Sequence, residues 1–148
     1  YSTGKFDREF LDYLKDLKFT GSFWSVKEGC PVFPNEPLIT VRAPIIEAQI
    51  LETFLLVTVN HQSLIATKAN RIVRQAKGRT VFEFGARRAQ GYDGANYGAR
   101  AAYIGGADGT ATVSAGKMFG IPVVGTMAHS FVQLFDIEER GSKCNSGS

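Results

Sequence analysis

Cysteine is scarce. There are two in 148 residues, Cys30 and Cys144, far apart and with neither a CxxC pair nor a histidine cluster beside them. That excludes a disulfide-stapled scaffold and a cysteine-based zinc site, so no protein-held metal is expected, and a cytoplasmic, reducing setting is the expectation. Long apolar runs are also missing. The longest, around Phe54-Leu-Leu-Val-Thr-Val59, falls far short of the roughly 20 residues of a spanning helix, and no membrane partner is expected. Charge of one sign is nowhere massed. Seventeen Lys and Arg against 14 Asp and Glu leave a net +3, scattered along the chain. A nucleic-acid surface gathers its basic residues on one face with aromatics between them, so nucleic acid is not the expected partner. An anionic small molecule fits the balance better. No Gly-x-x-x-x-Gly-Lys-[Ser/Thr] string occurs, which excludes an ordinary P-loop.

What is present is long enough for one domain with a real core. Both ends read as cut, and the chain is expected to be a piece of a longer protein. It opens at Tyr1 near a helical pattern and closes in a polar tail over residues 137–148. Phe6, Phe10, Leu14 and Leu17 recur at helical spacing, which predicts an amphipathic helix over 5–18. Two runs rich in aromatic and β-branched residues, 23–26 and 38–42, flank a segment bearing Pro31, Pro34 and Pro37. They predict an antiparallel pair joined by a long loop. Pro44 suits the first turn of a helix. Residues 45–76 hold no helix breaker and are apolar nearly all round between Leu51 and Val59. This predicts a long helical segment buried on several sides, with Asn60-His-Gln-Ser63 the place where it would divide in two. His61 reads as a core or junction residue.

From residue 80 the pattern changes to short apolar runs about 20 residues apart. Strands are predicted at 80–84, 104–106 and 121–125, with helices over 94–103 and 109–119 between them. This is the rhythm of βα units on a parallel sheet, in which reactive groups gather beyond the carboxyl ends of the strands. The fold class is therefore α/β, an α+β amino-terminal part leading into the first strands and helices of an incomplete β/α barrel. The expected organisation is 1–43 in the amino-terminal part, 44–78 a linking helical segment, and 79–136 the βα units.

Each predicted strand is followed by a group suited to chemistry. Arg87 and Arg88 follow the first, and an arginine offers a planar fork for carboxylate or phosphate, although for the pair taken alone a surface role beside Glu83 is the simpler use. Asp108, in Gly105-Gly-Ala-Asp-Gly109, either caps the next helix or faces a ligand. Asp93 is the expected cap of helix 94–103. His129 follows the third strand, between Thr126 and Ser130, where an imidazole can serve as acid, base or nucleophile toward a phosphoryl group.

Phe33-Pro-Asn-Glu-Pro37, Ile46-Glu-Ala-Gln-Ile-Leu-Glu52, Glu83-Phe-Gly-Ala-Arg-Arg-Ala-Gln-Gly91, Asp93-Gly94 and Gly125-Thr-Met-Ala-His-Ser130 together closely resemble the nicotinate phosphoribosyltransferase family. The resemblance covers about residues 5–136. It implies an enzyme of NAD salvage that joins nicotinate to phosphoribosyl pyrophosphate, giving nicotinate mononucleotide and pyrophosphate. It also implies coupling to ATP hydrolysis through a phosphohistidine, with Mg2+ on the phosphates, and a homodimer in the full-length enzyme. Carried over, His129 matches the phosphorylated histidine and Thr126 a nicotinate contact. Arg87 matches an arginine of the pyridine pocket, with Phe84, Asp108 and Ser130 as neighbouring contacts. Most of the family's barrel has no counterpart here, so the chain alone is expected to be inactive. The alternative is a truncated, non-catalytic paralogue that serves as a binding or regulatory module.

Overall fold

The structure, a computed structural model, describes residues 4–125, 127, 129–131, 133 and 134. It forms two compact units that divide between Leu64 and Ile65. The first contains α1 (Arg8–Lys15), the hairpin of β1 (Ser22–Ser25) and β2 (Ile39–Arg42), and the start of α2 (Ile45–Gln75). The second contains the rest of α2, then β3 (Phe82–Glu83), a 3-10 turn at Ala86–Arg88, α3 (Gly91–Ile104), β4 (Gly109–Thr110) and α4 (Val113–Phe119).

In the first unit, β1 and β2 pair antiparallel as expected, with Phe23 opposite Val41 and Trp24 opposite Thr40. Helix α1 is shorter than its apolar spacing predicts and buries none of its residues. A helix of two turns gains little by itself, and without a covering surface its ends are not held. Pro44 sits where expected, its carbonyl accepting the first helical hydrogen bond from Ala48 N–H at 3.0 Å. Glu47 is the one buried residue of α2. Its carboxylate accepts from the Thr20 backbone N–H at 2.7 Å and the Thr20 hydroxyl at 3.0 Å, tying the approach to β1 onto the first turn of α2.

Two expectations for α2 fail. It does not divide at residues 60–63 but runs unbroken for 31 residues. No Gly or Pro interrupts it, and polar side chains alone do not break the i to i−4 ladder. Nor is it buried on several sides: Phe54, Leu56 and Val57 are all more than 60% exposed. Among the described residues nothing covers that face. Long as it is, no described helix is long and apolar enough to cross a membrane.

The second unit carries the parallel sheet. β3 pairs with β4 in parallel, Phe82 opposite Gly109 and Glu83 opposite Thr110. A parallel bridge joins Thr110 to Val123, closed by Thr110 N–H to Pro122 O at 3.0 Å and Val124 N–H to Thr110 O at 2.9 Å. The three segments therefore run the same way, as the βα rhythm predicts, and the α/β class holds. The second strand is misplaced by the sequence reading. Residues 103 and 104 finish α3, which starts at Gly91 rather than 94, and the strand is Gly109–Thr110. The chain leaves α3 by a glycine turn: Gly106 N–H bonds Tyr103 O and Ala107 N–H bonds Ala102 O, with Gly106 at φ +106°. These are the two closing bonds of a Schellman motif, so the glycine pair ends a helix and does not follow a strand. Gly105 has a second role: a Cβ there would lie 2.6 Å from Ala66 O, and its own carbonyl accepts from Asn70 Nδ2 at 3.2 Å. Glycine lets α3 meet α2 backbone to backbone. α4 consequently starts at Val113, four residues later than predicted.

Candidate functional site

Parallel pairing sends three chain segments out of one edge of the sheet: residues 84–88 after β3, 111–112 after β4, and the segment beyond Val124 that carries His129. At this edge lies an open pocket of about 370 Å³ lined by Ala86, Arg87, Ala89, Gly91, Tyr92, Ala95, Thr112 and Ser114. It sits where ligands bind in open parallel sheets, outside the carboxyl ends of the strands.

The walls are held from below by side chains. Asn96, 1% exposed, accepts from the Ser114 hydroxyl at Oδ1 and donates from Nδ2 to Tyr92 O at 3.1 Å. It fastens the first turn of α3 to the first turn of α4. Arg100 lies over the Phe119 ring at 5.7 Å, and Tyr97 meets the same ring at 5.6 Å, so the two helices are also joined by aromatic packing.

Two features of the lining favour a negatively charged ligand. Arg87 is exposed and, among the described residues, has no ion pair; the surface pairing with Glu83 that the sequence allowed is not formed. The amino end of α3 faces the same space through Gly91 and Tyr92, and its N-cap residue, Gln90, makes no side-chain capping bond. A guanidinium and a helix amino end both prefer an anion. Thr112 adds a hydrogen-bonding atom: its Oγ1 is buried and unpartnered among the described residues, the condition of a group that a ligand or water satisfies.

The candidates from sequence divide accordingly. Phe84 and Arg87 leave the carboxyl end of β3 together; Phe84 is half exposed and its ring stacks on Phe82 at 6.4 Å. His129 and Ser130 are helical and exposed, on the segment that follows the Val123 bridge, and neither is among the residues that line the pocket. Thr126 lies outside the described residues. Asp108 is placed elsewhere. It precedes β4, so it stands at the amino edge of the sheet, its Oδ2 accepting from Val81 N–H and its own N–H donating to Val81 O, both at 2.8 Å. The carboxylate pins β4 to the start of β3 and caps no helix. Asp93 likewise lies within α3 rather than at its cap. The residues missing from the sequence reading are Thr112, Ser114, Tyr92 and Asn96. The first two are visible in Thr110-Ala-Thr-Val-Ser114, a hydroxyl-rich stretch just past a strand once that strand is placed at 109–110.

Comparison with known proteins places this geometry in a family. Residues 1–60 match the nicotinate phosphoribosyltransferase (NAPRTase) N-terminal domain. The chain is 53% identical over 135 residues to nicotinate phosphoribosyltransferase pncB2 of Mycobacterium tuberculosis, covering 91% of this chain and 29% of the relative. It is 53% identical over 130 residues to the Bacillus subtilis nicotinate phosphoribosyltransferase, covering 88% and 26%. The crystal structure of human nicotinic acid phosphoribosyltransferase superposes with a TM-score of 0.78 at 40% identity, over 86% of this chain and 26% of that one. The chain belongs to the nicotinate phosphoribosyltransferase family and spans about a quarter of the length of the curated relatives it matches.

Proposed function

We propose that this chain carries part of the active site of a nicotinate phosphoribosyltransferase, with β3, β4 and the Val123 segment as the first strands of a β/α barrel. The observation that supports the reading is the parallel register, which brings the Arg87 turn and residues 124–125, ahead of His129 in the sequence, to one sheet edge.

In this reading Arg87 holds the carboxylate of nicotinate through its planar fork, and the ring of Phe84 offers the pyridine a flat apolar face. Thr126 and Ser130 add contacts from the His129 segment. The pyridine nitrogen forms its bond to the anomeric carbon of phosphoribosyl pyrophosphate as the bond from that carbon to pyrophosphate breaks. Cationic character grows on the ribose, and catalysis is positioning and electrostatics rather than proton transfer. ATP is a second substrate. A ring nitrogen of His129 forms a bond to its γ-phosphorus as the bond to the ADP oxygen breaks, and water later hydrolyses the phosphohistidine. Mg2+ would travel with the phosphates. No group of three His, Cys, Asp or Glu among the described residues could cage it, and no step is assigned to it here. A cytoplasmic homodimer with sites at the subunit contact completes the reading, and the chain by itself is expected to be inactive.

The second reading, a non-catalytic module acting through a partner, is favoured by the exposed apolar face of α2, where Phe54 is 67% and Val57 64% exposed. Labelling with γ-phosphate-labelled ATP separates the two. In the full-length protein that contains this chain, the enzymatic reading predicts acid-labile label that His129→Ala abolishes. Label that persists in that variant overturns the role of His129, and no label in either leaves the partner-binding reading in possession.

A further inference from the structure

Glu83 is the last residue of β3, and its carboxylate turns back along the sheet edge instead of out to solvent. Oε1 accepts from the backbone N–H of Gly85, and Oε2 accepts from the hydroxyl of Thr110 at 2.6 Å. Thr110 is fully buried, and its Oγ1 in turn accepts from Thr112 N–H at 3.0 Å. On the backbone side, Ala111 N–H donates to Glu83 O at 3.0 Å. One carboxylate thus closes a short circuit from the turn after β3 to the turn after β4. Gly85 O accepts from Arg88 N–H at 2.9 Å, so the anchored glycine is also the base of the 3-10 turn that carries Arg87. Arg87 and Thr112, the two ends of this circuit, both line the pocket.

We infer that Glu83 is a positioning residue: its carboxylate sets the Arg87 turn at a fixed distance from Thr112, so that the guanidinium and the orphan hydroxyl converge on one ligand. The assignment of that ligand as nicotinate rests on the function proposed above; the clamp itself does not. A carboxylate is required because both of its oxygens accept. A glutamine offers one accepting oxygen, and its amide nitrogen faces a donor. Threonine or serine serves at 110, where the hydroxyl must donate to Glu83 while accepting from Thr112; valine does neither.

The test uses the 148-residue chain, with amide exchange and ¹⁵N relaxation read residue by residue and nicotinate as the probe. Glu83→Gln and Thr110→Val are expected to speed exchange at Gly85 and Thr112 about tenfold or more, the scale of losing a hydrogen bond to a charged group. Residues 86–88 become more mobile, the amides of residues 99–102 in α3 stay protected, and nicotinate binding weakens by a similar factor. Thr110→Ser keeps wild-type exchange and affinity. Unchanged exchange at Gly85 and Thr112 in Glu83→Gln overturns the clamp. So does opening of the turn without loss of affinity, or Thr110→Ser behaving like Thr110→Val. A wild-type chain that ignores nicotinate removes the ligand reading instead, and exchange and relaxation then decide the clamp.

Discussion

Of the two units of this chain, only the second has a buried apolar core among the described residues. Up to Leu64 the sequence is rich in large apolar side chains, yet Phe6, Trp24, Phe33 and Phe54 are each more than half exposed, and the one described residue that is buried is the acid Glu47. Among the described residues from Ile65 onward the buried apolar ones are small, Ala99, Ala101, Ala102, Ala107 and Ala115, with Ile121 the largest, and the polar Asn96 and Thr110 are buried with them. Glycines 105, 109 and 116 leave no room for a Cβ against neighbouring backbone or side chain. The second unit is thus held by close backbone approach and by buried side-chain hydrogen bonds at Asn96 and Thr110, a core that little rearrangement can loosen. The first is held by local pairing and one buried carboxylate. The pocket lies in the unit with the rigid core, where a site needs its support.

That contrast can be broken in order of effect. Ile121→Ala is expected to destabilise the second unit by about 2–5 kcal/mol, since it opens a cavity beside alanines too short to fill it; a urea melt followed by amide signals from α3 measures it. Gly105→Ala should cost about 1–3 kcal/mol in the same melt, because the new methyl meets the Ala66 carbonyl and neither backbone can withdraw cheaply. In the first unit, Glu47→Ala leaves the Thr20 N–H and hydroxyl without their acceptor and is expected to cost about 1–3 kcal/mol, visible in the exchange of the hairpin amides. Smallest of all is Phe54→Gln, expected to move the melt by less than about 0.5 kcal/mol despite the loss of a whole aromatic ring. A large loss there would mean that the ring is covered, and the contrast between the units would fall.

The sequence made the hairpin, the long helix and the parallel class legible, because each rests on local pattern: β-branched runs around prolines, a breaker-free stretch behind Pro44, and apolar runs at βα spacing. The positions of Arg87 and His129 follow from the same pattern: Arg87 comes after the run that ends in β3, and His129 after the run bridged to Thr110 at Val123. Asp108 shows where such reading stops. Tyr103-Ile104 has the side chains of a strand and the place of a helix end, and the choice was made by Gly106 closing a Schellman motif and Gly105 fitting against Ala66, both tertiary facts. Moving that strand by a few residues moved Asp108 to the far edge and brought Thr112 to the site. Exposure of α2 was equally hidden, since periodicity reports which face is apolar and not whether anything covers it.

The most direct test of the account is a titration of the ¹⁵N-labelled chain with nicotinate. The account predicts shifts confined to residues 84–95, 112–114 and 126–130, lost in Arg87→Ala and unaffected by Asp108→Asn. Shifts that persist without Arg87, or that centre on Val81 and Asp108, would contradict it.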